Sequence, residues 1–410
     1  MKAPYSKTVR FLLLMISCIA FFFVQRALAA EKHVKVFILA GQSNMEGKGF
    51  PRPLAWQVSQ PAYQERYQHL IQDSDCDAFV AALERSLSED PKAPLYRWSS
   101  RSDVWVDFHD RHGDLSVGYS PNKDCFGPEL NMGHVLGDSF DEPVCLIKTA
   151  WGGKALGRGF LPPSTRATPE DWERIAADEG KTTEEVKTTH GVFYDRMLEE
   201  IQQALKHLSE RHPAYQNQGY AVEGFVWFQG WNDQFKDSYR DRYQLHLAAL
   251  IQDIRRDLGH PQLPVIIGQL GHDGDKKGMY PRDAQGQFTA QAVIRKAQWD
   301  VAHQEDGISG VACVRTAPFW DMEADGIYYG PGGWQKDVER WRQFGDDRPY
   351  HYLGSPWFFA QVGTSFGKAM LEMLSELELS PVQQSLTAEA WVLFWPGLAG
   401  FSWLESRSTL

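Results

Sequence analysis

The feature that most constrains this fold is an alternation of short apolar runs with longer amphipathic stretches. Runs typical of buried strands lie at 34–39, 144–147, 225–228, 264–267 and 311–314. Stretches with helical periodicity lie at 129–136, 193–207, 243–258, 287–303 and 357–377. Strands separated by helices form βαβ units. The sequence therefore predicts an α/β fold whose mostly parallel sheet is covered on both faces.

The length of 410 residues allows two or three domains, but one elaborated α/β domain also fits. We predict one domain over residues 30–380, followed by a tail at 381–410. Insertions are expected near 50–125, 160–190 and 271–286. The second insertion contains a helix start signal, Thr168-Pro169-Glu170-Asp171, and the third is expected to be a mobile loop.

The amino terminus has the pattern of a targeting segment. Lys2, Lys7 and Arg10 precede an apolar run at 11–24, and Ala27-Leu28-Ala29 follows. This pattern predicts a signal peptide over residues 1–29, cleaved after Ala29, and a secreted or periplasmic protein. A membrane anchor is the alternative, but the run is too short at 1.5 Å per residue for a hydrocarbon core of about 30 Å.

Charge and motifs exclude several classes of partner. The chain has 42 basic and 53 acidic residues, a formal charge of −11, and no cluster of Lys and Arg, which argues against nucleic acid or an anionic membrane. No glycine-rich nucleotide motif follows a strand. His109-Asp110-Arg111-His112 has loosely metal-like spacing but lacks a helix or Cys context. We therefore predict a solvated loop there, and neither a metal nor a cofactor.

Four cysteines follow the predicted signal peptide, and an oxidising compartment would allow disulfides in three pairings. Cys145 and Cys313 lie in apolar, strand-like runs and are expected to be buried thiols. Cys76 and Cys125 lie in loop-like sequence and form the expected bridge.

The end of the first strand carries a candidate nucleophile. In open α/β sheets, ligands bind beyond the carboxyl ends of the strands. The first strand ends in Ala40-Gly41-Gln42-Ser43-Asn44-Met45-Glu46-Gly47. There Ser43 could expose its hydroxyl and use backbone N–H groups to stabilise an oxyanion. Alternatively, Ser43 is an N-cap and Glu46 completes a capping box.

Three later loops carry further candidates. Trp151-Gly152-Gly153 follows the second strand, where glycines allow close approach of the backbone or simply form a turn. Gln229 follows the third strand, and its amide could donate to an oxyanion or bridge neighbouring loops. Near the carboxyl end, Gly345-Asp346-Asp347-Arg348-Pro349-Tyr350-His351 places an acid shortly before a histidine that could act as a base.

Taken together and in this order, these blocks resemble the SGNH-type esterases, in particular the sialate O-acetylesterase and acetylxylan esterase-like branch. The resemblance extends from residue 34 to about 371. The sequence motifs that carry it are GQSNM at 41–45, FGPE at 126–129, Trp-Gly-Gly at 151–153, WFQG at 227–230 and HYLGS at 351–355.

The resemblance implies a flavodoxin-like three-layer α/β/α sandwich that removes O-acetyl groups from carbohydrates without a metal. It implies that Ser43 is the nucleophile and His351 the general base. The oxyanion hole would comprise the backbone N–H groups of Ser43 and of the Gly152–Gly153 turn, together with the Gln229 side chain.

The chain departs from the family pattern in two places. Many relatives have Q-G-E in the third block, where this chain has Gln229-Gly230-Trp231-Asn232-Asp233. The acid more often lies three residues before the histidine, and Arg348 occupies that place here. The triad acid is therefore left open among Asp347, which we prefer, Asp346 and Asp233. A dyad whose imidazole is held by a backbone carbonyl is a further alternative.

Trp231 and Asn232, in the third block, are predicted to contact an acetylated carbohydrate substrate, with the indole stacking on a sugar face. A catalytically silent carbohydrate-binding protein on the same fold is the main alternative function. A lipase or thioesterase on the same fold is a second alternative, closer in chemistry to the predicted esterase, but no long apolar lid segment is visible.

Overall fold

The computed structural model describes residues 33–71, 98–122, 125–303 and 307–393. The predicted signal peptide and Cys76 lie outside these residues, so the signal peptide and the Cys76–Cys125 bridge stay predictions. Cys145 is buried and Cys313 half-buried, both as free thiols. Within the described ranges, we find no helix with the length and apolar character needed to cross a membrane.

Seven strands form one sheet in the order β3-β2-β4-β1-β5-β6-β7. Neighbouring strands are parallel except for the β2–β3 hairpin. The run β4-β1-β5-β6-β7 has the strand order of flavodoxin-like folds. The strands are β1 (Val34–Gly41), β2 (Arg101–Phe108), β3 (Arg111–Leu115), β4 (Val144–Ala150), β5 (Tyr220–Phe228), β6 (Val265–Gln269) and β7 (Val311–Arg315).

Helices cover both faces of this sheet, so the predicted three-layer α/β/α sandwich is confirmed. The α-helices are α1 (Ser43–Glu46), α2 (Pro51–Ser59), α3 (Pro61–Tyr67), α4 (Pro128–Gly137), α5 (Pro169–Glu179), α6 (Thr183–Lys187), α7 (Val192–Lys206), α8 (Leu208–Arg211), α9 (Asp237–Arg240), α10 (Tyr243–Asp257), α11 (Ala290–His303), α12 (Met322–Tyr329), α13 (Val338–Phe344) and α14 (Pro356–Leu393). Helices α4 and α14 pack on one face, and α7, α10 and α11 on the other.

The central strand β1 is apolar because it is buried on both faces. Phe37 and Leu39 pack into one core, whereas Val36 and Ile38 pack into the other. Gly41 at its end pairs with Ala150 on β4 and with Phe228 on β5. The carboxyl ends of these three strands are therefore level, and the loops that follow them begin side by side.

The structure also differs from the sequence expectations in two places. All five predicted strands are present, but β2 and β3 lie inside the region near 50–125 that was expected to be an insertion. Residues 101–103 and 110–114 are mainly polar and partly exposed, so this hairpin lacks the continuous apolar run of a central strand. His109 lies in the hairpin turn with φ 56°. Helix α14 continues to Leu393, past the predicted domain end at 380.

The helix start predicted at Thr168 is present. Its side chain caps α5 by accepting from the Asp171 N–H at 3.2 Å, and the Asp171 carboxylate accepts from the Thr168 N–H at 3.1 Å. This reciprocal pair is a capping box.

Candidate active site

Three residues from distant parts of the chain form a hydrogen-bonded row at the end of β1. Ser43 Oγ lies 3.1 Å from His351 Nε2, and His351 Nδ1 lies 2.8 Å from Asp347 Oδ2. This order of hydroxyl, imidazole and carboxylate can transfer a proton from the hydroxyl while the carboxylate orients the ring. The site lies where the strand order reverses, between β1 and β5, the usual ligand position in doubly wound sheets.

Of the three carboxylates left open by the sequence, only Asp347 contacts the imidazole. Asp346 Oδ2 instead lies 3.1 Å from an Arg52 guanidinium nitrogen. Asp233 is buried and accepts the Leu156 and Gly157 N–H groups at 3.0 and 2.8 Å. Burial tends to raise the pKa of Asp347, but the hydrogen bond to His351 and the electrostatic attraction between the two side chains outweigh it and lower that pKa below its usual value.

An unusual turn makes the four-residue spacing between Asp347 and His351 possible. Tyr352 and Leu353 both adopt left-handed backbone conformations, with φ of 51° and 63°, which are uncommon for residues other than glycine. The Asp347 N–H donates back to the Leu353 carbonyl at 3.2 Å. The buried Tyr352 ring stacks on Phe358 with the ring centroids 3.5 Å apart. Packing therefore holds the backbone conformation that orients the histidine.

The residues on either side of Ser43 connect its loop to two others. Gln42 Nε2 donates to Asn232 Oδ1 at 2.9 Å, and Gln42 Oε1 accepts the Asn232 N–H at 3.4 Å. Asn44 Nδ2 donates to the carbonyl of Tyr350 at 3.1 Å. The sequence pattern alone indicates no role for Gln42 or Asn44, although both belong to the GQSNM block.

Glu46 connects the Ser43 loop to a third loop. Its Oε1 accepts the Gly152 N–H at 2.7 Å. Helix α1 begins at Ser43 itself rather than after it, so its N-cap is Gln42, which makes no side-chain cap bond. The alternative interpretation of Ser43 as an N-cap within a capping box is therefore wrong.

A buried ion pair lies beneath this loop. Lys148 Nζ is 2.9 Å from Glu129 Oε2, and both side chains are fully buried. Lys148 Nζ also donates to the Glu46 carbonyl at 2.7 Å, and Glu129 Oε1 accepts the Gly127 N–H at 2.9 Å. A buried charge is costly without a partner. The pairing with Lys148 therefore explains why the FGPE block can carry a charged residue, Glu129, at a buried position.

The Gln229 amide has other partners than a substrate. Its Nε2 donates to the Lys154 carbonyl at 3.0 Å and to Asp233 at 2.6 Å, and its Oε1 accepts from the Tyr243 hydroxyl at 3.1 Å. Both N–H groups of the amide are thus used, and its expected donation to an oxyanion is corrected to the bridging alternative. Burial raises the pKa of Asp233 to about 6, although these donors act against the rise.

Gly152 requires the same correction, because its N–H donates to Glu46. Three donors remain near Ser43: its own N–H, the Gly153 N–H and the Asn232 Nδ2 group. Within the described ranges these donors have no acceptor in the protein. Because Gln42 binds the Asn232 amide oxygen, the Asn232 Nδ2 group is oriented by its neighbour yet left available.

His272 is a residue of the site that the sequence did not reveal. Its Nε2 donates to the Tyr350 carbonyl at 2.9 Å, and its ring stacks on Tyr352 with centroids 4.2 Å apart. Burial, above all, lowers its pKa to about 3, so the ring stays neutral near pH 7. The Gly- and Asp-rich sequence around His272 is typical of a mobile loop. The tertiary packing instead buries this side chain, which is 2% exposed.

Aromatic side chains flank the row on one side. The partly exposed Trp231 ring lies 4.2 Å from His272 and 5.7 Å from Phe235, measured between centroids. Phe235 is 69% exposed. An aromatic ring is thus presented to solvent on the loop that also carries Asn232.

The candidate metal pattern at 109–112 forms no metal site in the part of the chain that the structure describes, and no other group of metal-ligating side chains does so there. His109 Nδ1 lies 2.8 Å from Glu200, and its Nε2 lies 3.1 Å from the Ala150 carbonyl. His109 therefore has a structural role next to the turn that follows β4.

Comparison with known proteins identifies the class. Residues 33–316 match the family described as carbohydrate esterase, sialic acid-specific acetylesterase. The chain belongs to this family, whose name denotes carboxylic ester hydrolases that act on carbohydrates. The matched range includes Ser43, Gly153 and Asn232, and ends before His351. No curated protein sequence matches the chain.

Three solved structures are similar to this one. A protein from Arabidopsis thaliana is 17% identical with a TM-score of 0.43, over 82% of this chain and 98% of that one. A carbohydrate acetylesterase from Xanthomonas citri is 13% identical with a TM-score of 0.44, over 83% and 57% of the respective chains. NanS is 15% identical with a TM-score of 0.43, over 84% and 98%.

The buried neutral His272 predicts a pH-dependent stability. Its pKa is about 3 in the folded state and near 6.5 when unfolded. As pH falls below 6.5, only the unfolded chain gains this proton, so folded stability decreases. Between pH 7 and 4.5 the free energy of unfolding of the wild type should fall about 2–3 kcal/mol more than that of His272→Gln, measured by urea denaturation.

The exposed His303 supplies the matched control, because His303→Gln should keep the wild-type slope. Equal slopes for the wild type and His272→Gln would show that His272 is not held neutral by burial.

Proposed function

We propose that this protein is an exported serine esterase that removes O-acetyl groups from carbohydrates, with Ser43, His351 and Asp347 as its catalytic triad. The observation that carries the proposal is the row from Ser43 Oγ through His351 to Asp347, in a chain that belongs to a carbohydrate esterase family. Its export rests on the pattern of residues 1–29.

In the first half of the reaction, His351 Nε2 accepts the Ser43 proton while the oxygen attacks the acetyl carbonyl. The tetrahedral intermediate collapses, and the imidazolium gives its proton to the departing sugar oxygen. In the second half, His351 takes a proton from water, whose oxygen attacks the acetyl-serine. The second tetrahedral intermediate collapses with cleavage of its bond to Ser43 Oγ, acetate leaves, and the imidazolium returns its proton to Ser43 Oγ. Asp347 keeps the ring oriented and stabilises its positive charge throughout.

The negative charge of the tetrahedral intermediate requires donors that are already in place. The Ser43 N–H, the Gly153 N–H and Asn232 Nδ2 supply them in this proposal. Asn232 replaces Gln229, whose amide is committed to Lys154 and Asp233. Trp231, on the same loop, contacts the sugar ring.

Removal of the nucleophile tests the proposal directly. The wild type should release acetate from acetylated xylan, O-acetylated sialic acid and 4-nitrophenyl acetate, and Ser43→Ala should lower kcat at least about 10³-fold on each substrate it accepts, since a missing triad member removes the covalent step. Acetate is measured directly. Ser139→Ala, at an exposed position just after the end of α4, should retain activity.

The same assay tests the silent carbohydrate-binding alternative. Glycan binding without acetate release by the wild type would establish that alternative and contradict the esterase proposal.

Two adjacent carboxylates provide a matched test of the triad acid. Asp347→Asn should lower kcat by about 10³–10⁴-fold, because the amide no longer orients and stabilises the charged imidazole. Asp346→Asn removes a similar charge but contacts Arg52 rather than His351, so kcat should stay within a few-fold of wild type. Equal losses in both variants, measured with 4-nitrophenyl acetate, would reject Asp347 as the orienting acid.

The oxyanion donor can be tested on the third block. Asn232→Ala should lower kcat about 10²–10³-fold with little change in KM, because the lost donor acts on charge that develops after binding. Gln234→Ala removes a nearby amide that donates to the Trp231 carbonyl and should have a small effect. Full turnover by Asn232→Ala would show that Asn232 is not part of the hole.

A further inference from the structure

The peptide group that precedes His351 is held by hydrogen bonds at both of its ends. Its carbonyl belongs to Tyr350 and accepts from His272 Nε2 at 2.9 Å and from Asn44 Nδ2 at 3.1 Å. A carbonyl oxygen has two lone pairs, so both are used. Its N–H belongs to His351 and donates to the Arg348 carbonyl at 2.9 Å. The backbone that carries the candidate base is therefore fixed in part by His272.

The ring of His272 contacts two other aromatic rings. Its centroid lies 4.2 Å from that of Trp231, with the planes tilted by 40°. It also lies 4.2 Å from that of Tyr352, with the planes closer to parallel at 26°. One imidazole thus contacts both the indole proposed to bind the sugar and the turn that carries the base.

His272 is itself fixed to helix α11, although it lies in a loop rich in Gly and Asp. Its carbonyl accepts from the Arg295 guanidinium and, at 3.3 Å, from Gln291 Nε2. The same guanidinium is 2% exposed and donates to the carbonyls of Gly274 and Met279 at 3.4 Å. The loop is therefore wrapped around a buried side chain of α11, which sets the position of His272.

A small error in the position of His351 is costly for the proposed reaction. Its Nε2 lies 3.1 Å from Ser43 Oγ, and a displacement of about 1 Å can slow an enzyme about 10²-fold. The left-handed backbone at Tyr352 and Leu353 persists only where surrounding contacts enforce it. In the described part of the chain, His272 makes no hydrogen bond to Ser43 or His351. It therefore acts through neighbouring residues and not on the reacting atoms.

The neutral state of His272 suits this position. Burial, above all, lowers its pKa to about 3, so near pH 7 the Nε2–H group donates without adding a positive charge. His351 becomes positively charged when it accepts the Ser43 proton, and a like charge nearby would disfavour that form. A neutral imidazole thus supplies the donor without opposing the reaction.

We infer that His272 is a positioning residue with two separable roles: its Nε2–H group orients His351 through the Tyr350 carbonyl, and its ring orients Trp231 for the sugar. The inference rests on the proposed function and adds to it a residue outside the triad and the oxyanion hole. The first role acts on the chemical step and the second on substrate binding, so the two roles predict different kinetic effects.

Two substitutions separate these roles. His272→Phe keeps a ring but removes the donor, and His272→Gln keeps an amide N–H group near the position of Nε2 but removes the ring. In His272→Gln the turn is still supported, because Tyr352 stacks on Phe358 and its hydroxyl accepts the Gly271 N–H at 3.1 Å.

The kinetic constants are measured with O-acetylated sialic acid or acetylated xylan, whichever the wild type deacetylates faster. His272→Phe should lower kcat about 10- to 100-fold and change KM less than about 3-fold, because the loss falls on the orientation of the base. His272→Gln should recover most of that kcat and raise KM about 2- to 10-fold, because an aromatic contact to Trp231 is lost.

Diisopropyl fluorophosphate, which has no ring to stack on Trp231, reports on the base alone. His351 takes the Ser43 proton, Ser43 Oγ attacks phosphorus, and fluoride leaves. The rate constant of inactivation should fall about 10- to 100-fold in His272→Phe and less than about 3-fold in His272→Gln.

The second role has a test that does not depend on His272→Phe. Trp231→Ala should raise KM, and His272→Gln added to Trp231→Ala should raise it no further, because the two changes act on one contact. Additive increases in KM would show that the ring of His272 does not act through Trp231.

The exposed His303 provides matched controls, since His303→Phe and His303→Gln should leave both kinetic constants unchanged. Thermal denaturation identifies a temperature at which every variant is folded, and all rates are measured there. Equal losses in His272→Phe and His272→Gln, or a wild-type kcat in His272→Phe, would overturn the inference while the esterase proposal stands. A wild type that neither releases acetate nor reacts with the fluorophosphate would overturn both.

Discussion

The site depends on hydrogen bonds from the residues around Ser43 to three other loops. Gln42 binds Asn232, Asn44 binds the carbonyl before His351, and Glu46 binds Gly152. Each of these side chains is buried or nearly so, and buried polar groups need partners inside the protein. One short segment at the end of β1 thereby positions the loops that follow β4 and β5 and the turn that carries the histidine.

This arrangement requires the strand ends to be level. Gly41 pairs with Ala150 on one side and Phe228 on the other. A shift of one residue in either ladder would turn alternate side chains to the opposite face and displace the loop beyond it. The buried pair of Lys148 and Glu129 adds a contact below the site, where an unpaired charge would be strongly unfavourable. Sheet register and buried polar contacts therefore determine the geometry of the row together.

Much of the fold could be predicted because central parallel strands are apolar on both faces. The five strands at the centre and one edge of the sheet have this pattern. The β2–β3 hairpin lacks this pattern, since its polar residues face solvent, and its sequence is therefore typical of an insertion. Left-handed conformations at Tyr352 and Leu353 could not be predicted either, because neither residue type favours them.

The sequence by itself determined the five apolar parallel strands of the sheet, the position of Ser43 after its central strand, and the pairing of His351 with an acid close in the chain. It left three carboxylates open and assigned Gln229 and Gly152 as donors. Only the tertiary structure decided that Asp347 reaches the imidazole, that Gln229 and Gly152 are already bonded, and that Asn232 is available. The physical reason is that the free or occupied state of a donor depends on partners up to 190 residues away, which no local pattern encodes.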